Sequence, residues 1–171
     1  MIVIDNYFDN PDSIREFALD KEFYTKETHP GNIGNFPGLR TNYINELDNN
    51  LYNLLVQEEL ANVSKLENLN HYKEYWCKFS FSYTTKGIGE QLHRDFVEGH
   101  DGYKKFYGGI VYLNPNPPKK SGTIVVDEQT VENVYNRYVM YDATKEHGIE
   151  SSFGKEKTSA RLVLTHFIYL K

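Results

Sequence analysis

Trp76-Cys77-Lys78-Phe79-Ser80-Phe81-Ser82-Tyr83 is where the texture of this chain turns from helix to strand. Aromatic side chains suit a pleated, half-buried surface. Downstream, 90–95, 107–114, 123–127, 137–141 and 161–170 repeat that texture, separated by loops rich in Gly, Pro, Asn and Lys. Short strands at such spacing predict an all-β sandwich or barrel. Upstream the signals are mixed. Residues 2–8 alternate well enough for a short strand. Asn10-Pro11-Asp12-Ser13 reads as a helix start, with Asn10 as cap and Pro11 in the first turn. Residues 29–41 read as an ordered loop, and 47–63 carry leucines at helical spacing. The expectation is one domain over 1–171, with a helical flank over 1–74 packed on a β core over 75–171.

Composition bounds the function. A chain of 171 residues with 14 Tyr and 10 Phe is large enough for a core and too aromatic for a disordered tail. The single Cys77 excludes a disulfide framework and a multi-cysteine zinc site, and reads as a small buried side chain. A net charge of −5 makes a nucleic-acid partner a poor expectation. No apolar run approaches the roughly 18 residues a membrane span needs. Met1-Ile2-Val3-Ile4-Asp5 has no basic n-region, so the expected location is the cytoplasm.

His93-Arg94-Asp95 is the first candidate for chemistry. In a strand, residues i and i+2 share a face, so His93 and Asp95 converge as two metal ligands. Two His and one carboxylate on one face of an iron leave open positions for substrates. Among the other histidines, His29 and His71 read as surface residues and His100 as part of a solvated loop. His166 shares a strand face with Leu162, Leu164 and Ile168 and reads as packing. His147, at a strand start beside Gly148, is left as the third ligand. Arg161 opens an otherwise apolar strand, where it needs a carboxylate or must reach solvent. A hairpin after His147 would aim it into the same cavity. There a dicarboxylate could pair with it in two parallel hydrogen bonds.

His93-x-Asp95, then His147, then Arg161 at the head of a final strand resembles the iron(II)/2-oxoglutarate-dependent oxygenases, in their prolyl-4-hydroxylase-like branch. The resemblance covers roughly 75–170. Gly109-Ile110-Val111-Tyr112-Leu113-Asn114, Ser121-Gly122-Thr123 and Arg161-Leu162-Val163-Leu164-Thr165-His166-Phe167 look like successive parts of that core. Asp9-Asn10-Pro11, Pro37-Gly38-Leu39-Arg40-Thr41 and Asn136-Arg137-Tyr138 through His147 are similar to small oxygenases of this class encoded by phages and bacteria. The connection over 151–159 is longer than the prolyl-hydroxylase pattern.

The resemblance implies a mainly β fold, a double-stranded β-helix of jelly-roll or cupin-like form with flanking N-terminal helices. It implies Fe(II) on His93, Asp95 and His147, with 2-oxoglutarate and O2 as co-substrates. Arg161 would hold the far carboxylate of 2-oxoglutarate, helped by Tyr83, Tyr112 and Thr165, while Val163 and Phe167 keep the pocket apolar. The implied enzyme is a hydroxylase that releases succinate and CO2, in the host cytoplasm if phage-encoded. A prolyl or other protein or peptide side chain is the first expectation for its substrate, and a small metabolite or nucleotide the second. A metal-binding barrel without oxygenase turnover, or a structural or interaction protein, is the contrasting reading, and Arg161 argues against it. Lys104, Lys105, Lys119, Lys120, Lys155 and Lys157 sit in loops expected to ring the entrance, where solvation or an acidic substrate would satisfy them.

Overall fold

The computed structural model describes residues 1–31, 36–95 and 102–171, so the predicted loop position of His100 lies outside the described residues. Among the described residues nine strands make two antiparallel sheets. The larger is built from β1 (Ile2–Ile4), β2 (Leu39–Arg40), β3 (Tyr75–Thr84), β4 (Lys105–Tyr112), β7 (Tyr138–Asp142) and β9 (Arg161–Leu170). Its order is β1-β7-β4-β9-β3-β2. The smaller consists of β5 (Thr123–Val125), β6 (Gln129–Val131) and β8 (His147–Ile149), in the order β6-β5-β8. The sheets do not close into a barrel.

Strand β9 shows why the layers form. Leu162, Leu164, His166, Ile168 and Leu170 alternate with Arg161, Val163, Thr165, Phe167 and Tyr169, and strand periodicity sends the two sets to opposite faces. The leucine set meets Cys77, Phe79 and Phe81 of β3 and the helices α1 (Pro11–Asp20), α2 (Ile44–Leu47) and α3 (Asn49–Val63). Burying each large apolar side chain contributes about 1.5–3 kcal/mol. The other face turns to the small sheet, where Ile110, Val139, Tyr141 and Val163 pack against Val125 and Val131.

The helix signals act as their chemistry requires. Asn10 Oδ1 accepts from Ser13 N at 3.2 Å, and Pro11 opens α1. Asp48 is extended, splits the expected 47–63 helix from α2, and accepts from the backbone N–H groups of Asn50 and Leu51 at 2.9 Å each. One buried polar link ties α3 to the sheet. Glu59 receives the Tyr138 hydroxyl at 3.0 Å and meets His166 Nδ1 at 2.9 Å, while His166 Nε2 faces the Val139 carbonyl at 3.0 Å. Gly109 makes room for that ring, since a Cβ there would stand 1.9 Å from the Val139 carbonyl oxygen and 2.6 Å from His166 Nε2.

Several expectations need correction. The strand read over 2–8 is present as β1, but β2 falls inside the stretch read as loop, and the two form the edges of the large sheet. Residues 90–95 make one isolated bridge, His93 with His147, instead of a strand. No hairpin joins His147 to Arg161: β8 pairs with β5, and β9 lies between β3 and β4. His29 is buried, its Nε2 against the Thr41 carbonyl at 3.1 Å.

Candidate metal centre and its cavity

An open cavity of about 1270 Å³ lies between the two sheets and the loops that flank them. His147 enters it at the start of β8, held by β5 through the Val125 pairing. His93 lies beside it through two backbone hydrogen bonds of 2.8 Å, one in each direction. The Asp95 N–H donates to the Ala143 carbonyl at 3.0 Å, which fixes the next residue of the same face. The result is a cluster in which one ligand atom from each of His93, Asp95 and His147 lies within 4.8 Å of the others.

The outer contacts suit a metal. His147 Nδ1 meets the Lys145 carbonyl at 2.8 Å, and His93 Nδ1 meets the Gln91 carbonyl at 3.2 Å. An Nδ1–H donated to a backbone carbonyl leaves the Nε2 lone pair free, the arrangement metal-ligating histidines use. Both Nε2 atoms point toward the Asp95 carboxylate, His147 at 3.3 Å and His93 at 3.9 Å. His147 is buried, Asp95 half-buried and His93 exposed, so the cluster has a closed side and an open one. The Tyr141 ring covers His147 at 4.6 Å, and burial together with the Asp95 charge raises the pKa of its hydroxyl.

Arg161 lines the same cavity from β9 and is buried. Its Nε donates to the Ser121 carbonyl and its Nη2 to Thr123 Oγ1, each at 3.1 Å. Tyr112 lies beneath it, ring centre 5.3 Å from the guanidinium carbon. Among the described residues no carboxylate pairs with Arg161, and burial lowers its pKa from the ordinary arginine value. A desolvated cation without a counter-ion is costly, and an anionic ligand would relieve that cost.

The helper residues divide. Thr165 lines the cavity, its hydroxyl 2.8 Å from that of Ser82. Tyr112 is fully buried and donates its proton to Thr123 Oγ1 at 2.8 Å, so it supports Arg161 from below and offers the cavity no hydroxyl proton. Tyr83 is not among the residues that line the cavity. It follows the Cys77-Phe79-Phe81 parity of β3 and packs on the helix side, its ring 4.9 Å from Phe23. Its neighbours Ser82 and Thr84 face the cavity instead. None of the six loop lysines is among the cavity's described lining residues. Lys105 meets Glu67 at 3.7 Å, and Lys157 donates to the Leu19 carbonyl at 2.5 Å.

Sequence reasoning missed Arg40 and Lys78, which line the cavity from β2 and β3. The alternation Lys78-Ser80-Ser82 was the signal for Lys78: three polar residues on one face of a strand whose other face is apolar. A two-residue strand leaves no periodicity to read, so Arg40 carried no such signal.

No family model matches the chain, and no curated protein matches it. Solved structures do. HygX from Streptomyces hygroscopicus with nickel and 2-oxoglutarate bound is similar at a TM-score of 0.68 and 14% identity, over 99% of this chain and 82% of that one. A Pseudomonas putida prolyl-4-hydroxylase gives 0.62 and 14%, over 99% and 91%. A Trichoplax adhaerens prolyl hydroxylase, in complex with a hypoxia inducible factor peptide fragment, gives 0.62 and 12%, over 99% and 82%. At such identities the likeness is one of fold: the chain has the double-stranded β-helix architecture of the iron(II)/2-oxoglutarate oxygenases.

Proposed function

We propose that this protein is an Fe(II)- and 2-oxoglutarate-dependent dioxygenase that hydroxylates an organic substrate. One observation carries the reading. A His-Asp-His cluster, with His147 on the small sheet, and a buried arginine of the large sheet that has no counter-ion among the described residues face one cavity. The donor set fits the metal, because two imidazole nitrogens and one carboxylate are the facial set of non-haem iron oxygenases. Bound iron and co-substrate would supply the oxidising chemistry, with release of succinate and CO2.

The chain's own residues bind, orient and exclude water. His93, Asp95 and His147 would hold Fe(II), with the Lys145 and Gln91 carbonyls fixing the imidazole rings. Arg161 would take the far carboxylate of 2-oxoglutarate in a two-pronged hydrogen bond, its own position set by Ser121 and Thr123. Thr165 adds a hydroxyl on the same face, and Val163 and Phe167 keep that wall apolar. For the substrate, a prolyl or other peptide side chain is the first reading, supported by fold likeness to the prolyl hydroxylases. A small molecule is the second, supported by the HygX structure with hygromycin B bound.

The test is oxygen consumption and succinate release by purified protein given Fe(II) and 2-oxoglutarate. Slow substrate-free turnover that stops in Asp95→Ala is the expected result. Absence of both 2-oxoglutarate binding and turnover in iron-loaded protein would contradict the reading.

A further inference from the structure

The cavity is larger than the roughly 300–1,000 Å³ of an ordinary ligand pocket, and its residues differ from one end to the other. On the face of the large sheet that lines it, Thr84 pairs with Arg161 and Lys78 pairs with Phe167. Six residues of strand separate these rows, about 20 Å at ~3.3 Å per residue. Two more cations line the cavity, Lys78 in the row of Phe167 and Arg40, which pairs with Ser82, in the row of Val163. Arg40 is half-buried, its guanidinium carbon is 4.7 Å from the Phe36 ring centre, and its Nε is shut off from solvent without a hydrogen-bond acceptor. Lys78 Nζ is 4.0 Å from the Trp76 ring, 5.5 Å from Tyr43 and 5.9 Å from Tyr169.

Neither cation forms an ion pair among the described residues. Asp95 is the acid whose charge reaches Arg40, and its oxygens are committed to the two histidines. Burial lowers both pKa values, and the charge of Arg40 lowers that of Lys78 further. Contact with ring faces offsets part of that cost. Two cations that line one cavity and feel each other's charge lack one thing, an anion to share.

We infer that Arg40 and Lys78, with Phe36, Tyr43, Trp76 and Tyr169 beside them, form an oxyanion subsite, distinct from Arg161, that holds a carboxylate or phosphate of the substrate. This names the substrate class, an organic anion, and rests on the oxygenase reading for calling the ligand a substrate. Arg161 would serve the co-substrate and the Arg40–Lys78 pair the substrate, so the two anions do not compete.

Trp76, the only tryptophan, reports on the site. Metal-free protein is titrated with phenyl phosphate, then benzoate, with benzyl alcohol as the uncharged control, while Trp76 fluorescence is followed. The expected result is saturable binding of at least one anion, weakened by added salt and absent for the alcohol. Arg40→Gln and Lys78→Gln should each weaken it about tenfold or more, and Arg161→Gln by no more than about twofold. The tighter anion names the oxyanion. Thermal midpoints check the variants, and the salt series on wild type reads the charge requirement without any variant. No saturable binding, binding indifferent to salt, or loss confined to Arg161→Gln would overturn the subsite. Because the titration needs neither iron nor turnover, its failure is separate from failure of the oxygenase reading.

Discussion

At the scale of single residues, the site depends on which nitrogen of each imidazole is left over. Backbone carbonyls take Nδ1 of His93 and His147, and Nε2 of both turns to Asp95. His93→Ala, Asp95→Ala and His147→Ala should therefore each remove most Fe(II) binding, measured by anaerobic equilibrium dialysis. His166→Ala should leave the metal stoichiometry of the folded fraction unchanged, since both its ring nitrogens meet protein acceptors in the core. Iron bound normally by His147→Ala would refute this ligand set. Parity made part of this legible: the β9 alternation puts Arg161 and Thr165 on one face and His166 on the other. Parity was also the trap for Tyr83. The resemblance set it beside Arg161, but an odd number on β3 faces the helices.

At the scale of elements, the Glu59–His166–Tyr138 link is where α3 is fixed to the sheet. Removing one partner of a buried pair costs about 3–5 kcal/mol, because the other is left uncompensated. Glu59→Ala should lower the thermal midpoint by roughly 6–20 °C at about 2–4 °C per kcal/mol for a domain this size. Asp48→Ala, which removes a cap alone, should cost only about 0.5–2 kcal/mol. Equal losses for the two would mean that Glu59 packs α3 without holding it. The long elements were legible because β9 and α3 each repeat a pattern over several turns of the period. Strands β2 and β6 were not, because they are two and three residues long within stretches that read as loop, and backbone pairing makes them strands.

At the scale of the whole molecule, two sheets that do not close leave room between them for ligands. The helix-covered side is sealed. Cys77 is buried there, and burial together with the Glu59 charge pushes its thiol up to about 12. The thiolate is the reactive form, so at pH 8 native protein should react with a thiol reagent only as fast as it unfolds. Prompt reaction in native buffer would show that α3 leaves the sheet locally.

On the open side, the proposed function has one co-substrate spanning the cavity from the metal cluster to Arg161. The direct measurement is a titration of 2-oxoglutarate into iron-loaded protein without oxygen, following the visible charge-transfer band of the chelate. Wild type should develop the band and saturate. Arg161→Ala should bind roughly 30-fold to several-thousand-fold more weakly, from the about 2–5 kcal/mol lost when one partner of a sheltered charge pair is truncated. Arg161→Lys should recover only part of that, because a point charge cannot reproduce the guanidinium fork. Iron affinity without co-substrate should hardly change in either variant. Equal 2-oxoglutarate affinity in wild type and Arg161→Ala, or no band in wild type, would contradict the claim.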